Sequence, residues 1–391
     1  MKINFDEVID RNNTDSVKYD EPAMEMNNKD FIPMWVADMD FKTPSPILKS
    51  IQNMLDKGVL GYTMLPSRWH EAIKRWTKNR YNWIVEDEEI IFTPGIVRGI
   101  AFAIQCFSQP EDKILVMSPV YPPFFNVPIA NKRKVTYNSL LIDTNHEFQI
   151  DFKQFEKDIQ GAKLFILCNP HNPGGKVWTK EELQKIAHIC KKNDVLIISD
   201  EIHADLTLPP HQHHAFATVS TEAEQNSIVF MSPSKAFNMP GLASSYCIIK
   251  DKKRREEYQS FVEALDVTSS HMFAYCSLIA AYNECSDWLP QLLEYIQGNI
   301  NYVSQLLKEK MPRIKMIKPE ASYLIFLDCR ELGLADNKLD AFFKEEAGLI
   351  LNPGISFGKG GSGFMRLNVG CPKPLLEKAM NQLIKAYQVK F

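Results

Sequence analysis

Lys235 follows the short apolar run Ile228–Met231 and sits in Ser232-Pro-Ser-Lys235, flanked by hydroxyls. A lysine just past a strand end can form a Schiff base if its amine is desolvated or near other cations. Asp200 closes a second run, Val195–Ser199. A carboxylate there could hold a pyridine nitrogen protonated, which turns the ring into an electron sink. Asn172, in the Asn169–Gly175 stretch after Leu164–Cys168, can donate to a ring oxygen, and Tyr121, after Ile114–Met117, can stack on the ring. Thr93-Pro-Gly-Ile-Val97 precedes an apolar helical pattern and could present free backbone N–H groups to a phosphate. One such residue at a strand end is an ordinary loop; four in one sheet mark a site. The set describes a pocket for pyridoxal phosphate.

These residues converge only if the runs that carry them are parallel neighbours, because ligands bind at the carboxyl ends of strands in an open parallel sheet. The apolar runs read as strands buried on both faces, with Tyr246–Ile249 as a fifth. Between two of them, Thr179-Lys-Glu-Glu182 is a capping box opening an amphipathic helix that ends near Asn193. After about residue 251 long helical patterns follow, at Lys252–Leu265, Met272–Asn283 and Leu289–Glu309. Strand-like runs at Tyr323–Leu327 and Phe364–Val369 and a helix at Pro374–Tyr387 complete the chain. The expected fold class is α/β. A mostly parallel sheet sandwiched by helices forms a large cofactor-binding domain, residues 45–286. A smaller α+β domain comes from residues 1–44 and 287–391. Thr221–Asn226 reads as a surface loop.

Asn169–Gly175 (NPHNPGG), Ser199–His203 (SDEIH) and Ser232–Leu242 (SPSKAFNMPGL) resemble the signature blocks of fold-type I pyridoxal-phosphate enzymes, the aspartate-aminotransferase superfamily. Their order fits, with 28 residues from Asn172 to Asp200 and 35 from Asp200 to Lys235. Pro33–Phe41, Gly61-Tyr-Thr, His203–Phe216 and Met365–Pro372 resemble the MalY/PatB branch, cystathionine β-lyases and related C–S lyases. The resemblance runs from about residue 30 to the C-terminus. It implies Lys235 as Schiff-base lysine and proton shuttle, Asp200 on the pyridinium nitrogen, Asn172 on the ring oxygen and Tyr121 stacked on the ring. It implies Ser232 with the backbone of Gly95 and Ile96 at the phosphate, and Arg366 on the substrate α-carboxylate. Tyr62 would reach the phosphate of a neighbouring subunit, hence a homodimer with shared sites. Many members carry a tyrosine three residues after the aspartate and an arginine eight after the lysine; here stand His203, placed with the cofactor-binding residues, and Ala243. The phosphate is left with less positive charge than usual.

The implied reaction is β-elimination of cystathionine, cysteine or a related S-substituted amino acid to a thiol, pyruvate and ammonia, with Tyr121 or Lys235 protonating the leaving thiolate. The alternatives are an aminotransferase with the same cofactor contacts, or a lyase with an added protein-binding regulatory role. Net charge, −3 from 45 basic and 48 acidic residues, carries no case for nucleic acid. No basic-then-apolar leader or ~18-residue apolar run is present, so a cytoplasmic protein without a membrane partner is expected. The eight cysteines include no C-x-x-C pair and read as buried free thiols. His211, His213 and His214 lack metal-ligand spacing and an obvious carboxylate, so no metal is expected, only a loop near the active-site mouth.

Overall fold

A computed structural model describes residues 2–25 and 31–391; of the expected smaller domain, residues 1 and 26–30 lie outside the described residues. The apolar runs form a seven-stranded sheet: β1 (Ile90–Thr93), β2 (Lys113–Ser118), β3 (Lys134–Ser139), β4 (Ala162–Cys168), β5 (Leu196–Asp200), β6 (Ser227–Met231) and β7 (Ser245–Ile248), in the order β1-β7-β6-β5-β4-β2-β3. The five strands from β6 to β3 pair in parallel, whereas β7 runs antiparallel to both of its neighbours. β1 and β3 were not read from the sequence. One is four residues long, and the other is an edge strand, KVTYNS, whose half-polar pattern hides its pairing.

Alternate residues of the sheet build two cores, as the period of two in a strand requires. Ile114, Val116, Leu164 and Ile166 pack with Ile96, Ile100 and Ile104 of a helix, Ile96–Phe107, and with Tyr258 and Val262 of another, Lys252–Ala264. Leu115, Met117, Phe165 and Leu167 face the opposite layer with Leu183, Ile186 and Cys190 of the helix Lys180–Lys192. That helix opens with the expected capping box: Glu182 N–H donates to Thr179 Oγ1 at 3.2 Å and Thr179 N–H to Glu182 Oε2 at 2.8 Å. The Thr221–Asn226 loop expectation is corrected. Thr221–Gln225 is a short helix, because Ser220 Oγ accepts the Ala223 N–H and the Ala223 side chain packs into the core.

A second, antiparallel sheet contains β8 (Lys315–Ile317), β9 (Leu324–Asp328), β10 (Asn352–Pro353) and β11 (Phe364–Asn368), in the order β8-β9-β11-β10. The loops following β4 and β8 are joined at Gly175, whose carbonyl accepts the N–H groups of Glu320 and Ala321 at 2.9 and 3.0 Å. Among the described residues no helix is long and apolar enough to cross a membrane.

Gly175 has φ +68°, and a Cβ there would stand 2.6 Å from Pro319 Cβ and 2.9 Å from Ala321 O. Left-handed backbone strain and overpacking add, so Gly175→Ala should destabilise the protein by about 2–4 kcal/mol. Urea unfolding monitored by circular dichroism checks this; a midpoint equal to wild type would refute the contact.

Candidate active site

The turn after β6 places Lys235 by folding Ser234 N–H onto Ser232 Oγ at 3.1 Å. Lys235 is half-buried, and its amine donates to Ala37 O at 2.6 Å. Burial, with Arg366 nearby, pulls it down to about 8, although Asp38 and Asp200 draw it back up. Asp200, the last residue of β5, accepts the Ile202 N–H at 3.0 Å through Oδ1. Its burial pushes the carboxyl up to about 7, against the pull of that N–H and of Lys235. Cys168 pairs with Asp200 across β4 and β5, and its sulfur receives the Asn172 N–H at 3.3 Å. Asn172 O in turn accepts the Tyr121 N–H at 3.1 Å. The ends of three strands are thus tied into one rim. Burial, followed by the Asp200 charge, raises the Tyr121 phenol, so it keeps its proton.

Arg366 rises from β11 on the opposite wall. Its Nη1 donates to Asn172 Oδ1 at 3.1 Å, and its Nη2 to Trp35 O at 2.8 Å and Asn352 Oδ1 at 2.6 Å. The guanidinium lies 4.9 Å from the Phe357 ring centre, its Nε is buried without an acceptor, and burial draws it down to about 10. Among the described residues no carboxylate pairs with it. A buried guanidinium with only neutral acceptors favours an incoming anion.

Gly95, Ile96, Tyr121, Asn172, Asp200, His203, Lys235 and Arg366 line one cavity of about 650 Å³. Burial, then Lys235 and Arg366, pushes His203 down to about 3, which leaves a neutral imidazole whose Nδ1 has no partner. Two expected residues lie elsewhere. Ser232 is buried beside the cavity, its Oγ 2.7 Å from Ser244 O, and Ser234 rather than Ser232 lines the wall. The serine nearer the lysine faces inward because the hydroxyl of Ser232 is taken up by the turn itself. Tyr62 is fully exposed, on a loop with exposed Val59, Leu60 and Met64, away from the cavity of its own chain. In the histidine loop His213 is buried, with Nε2 2.8 Å from Glu201 Oε2, so Glu201 is a carboxylate partner that the sequence did not reveal.

The sequence reading also missed Trp35–Ala37, Arg98, Ser234 and Asn352 as cavity walls. Pro33–Phe41 stood out only as a likeness. Its two aspartates inside an apolar stretch were the available sign of buried charge. Arg98, on the first turn after Gly95, donates to Pro94 O at 2.9 Å and carried no signal. Among the described residues no group of three or more His, Cys, Asp or Glu could hold a metal ion.

Pyridoxal phosphate fits this donor set. The buried Asp200 carboxylate gains from a cationic ring nitrogen, and the desolvated lysine is a ready amine. Gly95, at φ +101° with open space around a would-be Cβ, starts a helix whose free N–H groups open to the cavity.

Fold and site together define a pyridoxal-phosphate enzyme of fold type I. The chain belongs to the aminotransferase class I and II family, whose model matches residues 37–383. It is 38% identical to the cystathionine beta-lyase PatB of Bacillus subtilis, covering 97% of this chain and 99% of that one. It is 31% identical to the protein MalY of Escherichia coli, with 98% of each chain covered. The solved structure of cystalysin from Treponema denticola, which contains pyridoxal 5'-phosphate, superposes with a TM-score of 0.96 at 32% identity over 100% of both chains.

The depressed Lys235 amine has a direct consequence. Only a neutral amine captures an aldehyde, so the rate at which cofactor-free protein takes up pyridoxal phosphate should climb with pH and level off above about 8. An ordinary lysine would keep accelerating toward 10.5. Stopped-flow absorbance across pH 6–10 reads the difference, and borohydride reduction followed by peptide mapping should place the label on Lys235.

Proposed function

We propose that this protein is a carbon–sulfur lyase that uses pyridoxal phosphate to remove the sulfur substituent from cystathionine, cysteine or a related amino acid. The observation that carries the reading is the cavity itself. A desolvated lysine amine and a buried guanidinium without a carboxylate stand on its opposite walls, in a chain 38% identical to a cystathionine beta-lyase. Pyridoxal phosphate, when bound, supplies a ring that accepts electron density from the α-carbon of an amino acid.

Lys235 would hold the cofactor through its amine, Asp200 would face its ring nitrogen, and Tyr121 its ring face. Asn172 and His203 would serve the ring oxygen. The backbone of Gly95 and Ile96, with Ser234 and Arg98, would hold the phosphate. Arg366 binds the substrate α-carboxylate with two parallel hydrogen bonds and so fixes which bond at the α-carbon faces Lys235. Lys235, its amine freed once the substrate amine takes its place, would then take the α-proton at Nζ; an amine drawn down toward neutrality both accepts and returns a proton at low cost. The Cβ–S bond breaks with its electron pair on sulfur, and the protonated Tyr121 phenol or Lys235 supplies the thiol proton. Water converts the remaining three carbons to pyruvate and ammonia.

The smaller unit, residues 1–44 and 287–391, carries Arg366 and is proposed to close over the substrate bound to residues 45–286. The working assembly is proposed to be a homodimer in the cytoplasm. The exposed Tyr62 and its apolar neighbours support a subunit contact, with Tyr62 serving the partner's phosphate. Tyr62→Phe mixed with Lys235→Ala should form hybrids with one intact site. Verified hybrids with no activity above either parent would dismiss shared sites.

The reaction is tested by its products. With L-cystathionine alone, equal amounts of pyruvate, ammonia and homocysteine should appear; turnover that requires an added keto acid and yields its amino acid would establish an aminotransferase instead. Arg366→Lys should lower kcat/KM by at least ~10²-fold, because a point charge cannot grip both carboxylate oxygens in one plane and charged hydrogen bonds count for about 1.5–3 kcal/mol each. Steady-state kinetics on L-cystathionine checks the figure.

A further inference from the structure

Residues 11–19 and 34–41 meet in a set of buried and half-buried charges that the mechanism leaves unused. Arg11 grips Asp38 with both nitrogens, Nη1 to Oδ1 at 3.1 Å and Nη2 to Oδ2 at 2.7 Å, and reaches Asp40 at 2.7 Å. Lys18 pairs with Asp40 at 2.7 Å and with Asp38 at 3.6 Å. Lys18 is 1% exposed and Asp40 3%. The Trp35 indole N–H donates to Lys18 O, and the Tyr19 ring lies against the Arg11 guanidinium. Two cations and two anions leave the cluster neutral, but burying Lys18 and Asp40 and half-burying Arg11 and Asp38 is costly, and apolar packing could join two segments as firmly. Stability alone is a poor account of it.

The site lies one residue away. Ala37 O accepts both the Lys235 amine at 2.6 Å and the Tyr323 hydroxyl at 2.9 Å. Asn368 Nδ2 donates to the carbonyls on either side, Val36 O at 2.6 Å and Asp38 O at 2.7 Å. Charged groups face the Lys235 nitrogen from three elements: Asp38 from this segment, Asp200 from β5 and Arg366 from β11. The neutral His203 and the Tyr323 hydroxyl complete its surroundings. Burial disfavours the Asp38 anion, but hydrogen bonds from Arg11, followed by the Lys18 charge, hold it below the usual carboxylate range.

We propose that residues 11–19 form a positioning strap for Lys235. Arg11 and Lys18 lock the 35–38 backbone so that Ala37 presents its carbonyl to the lysine, and by partly neutralising Asp38 they set the field at its nitrogen. Asp38, Arg11 and Lys18 are positioning residues that act through Lys235, and the proposal rests on the reading that Lys235 carries the cofactor.

The test follows the pH midpoint of the visible cofactor band in the holoenzyme, which reports the proton on the Lys235 nitrogen. Asp38→Asn removes an anion near that nitrogen, makes its proton easier to lose, and should lower the midpoint by about one pH unit. Arg11→Gln leaves Asp38 less neutralised and should raise it by about half a unit, with Arg11→Lys restoring most of the wild-type value. A purely structural strap gives no reason for opposite shifts. Midpoints that stay in place, or that move in the same sense, overturn the proposal. Should Asp38→Asn not fold, an unchanged or lowered midpoint in Arg11→Gln overturns it alone. A wild-type protein that binds no pyridoxal phosphate overturns the underlying functional reading instead.

Discussion

Desolvation of Lys235, Asp200 and Arg366 in a single cavity is the constraint on which the rest of the structure depends. In water these groups would be an ordinary ammonium, carboxylate and guanidinium. Inside, each is pushed toward its uncharged form, the amine to about 8, the carboxyl to about 7 and the guanidinium to about 10. None of the three is fully compensated by the others, because the walls hold them apart and fill their remaining bonds with neutral acceptors such as Ala37 O, Trp35 O and Asn352 Oδ1. A site in that condition gains most by admitting a ring that carries a cationic nitrogen and an aldehyde, together with the carboxylate of a separate substrate.

Holding such groups out of water requires rigid walls, and the parallel sheet provides them. Strands β2, β4, β5 and β6 end at the same edge, so Tyr121, Asn172, Asp200 and Lys235 emerge as neighbours although 114 positions separate the first from the last. Apolar layers cover both faces, and their burial offsets the cost of the charged pocket. Behind Asp200, Glu201 turns the other way and is satisfied by His213, Ser199 Oγ and the Phe216 N–H. Adjacent carboxylates on one strand end therefore receive opposite treatments: one is left open to the cavity, the other is saturated by the protein.

The opposite wall has a different construction. Trp35–Asp38 is a crossing segment with hardly any secondary structure of its own, and it is held through its carbonyls. Asn368, Tyr323, Lys235 and Arg366 all donate to it. Backbone carbonyls serve both as structural anchors and as acceptors for the reactive groups, so small shifts of this segment reach Lys235 and Arg366 together.

Much of the chemistry was legible from residue type and order alone. Short apolar runs alternating with helical patterns fit a sheet covered on both faces, and the polar residue ending each run then lies at the sheet edge. Lys235, Asp200, Asn172 and Tyr121 could thus be placed before any coordinates, as could the capped helix after Thr179. Other features were beyond the sequence because they depend on contacts between distant segments. Whether Ser232 or Ser234 faces the cavity is set by one turn that consumes the first hydroxyl. That Glu201 meets His213, or that the Asp38 and Asp40 carboxylates meet Arg11 and Lys18, has no period or propensity to announce it. The walls built from Trp35, Arg98 and Asn352 likewise depend on how loops cross, and backbone carbonyls contribute through position rather than identity. The sequence determined which groups could react; tertiary structure decided which of them lost their water, and desolvation is what shifts their proton affinities.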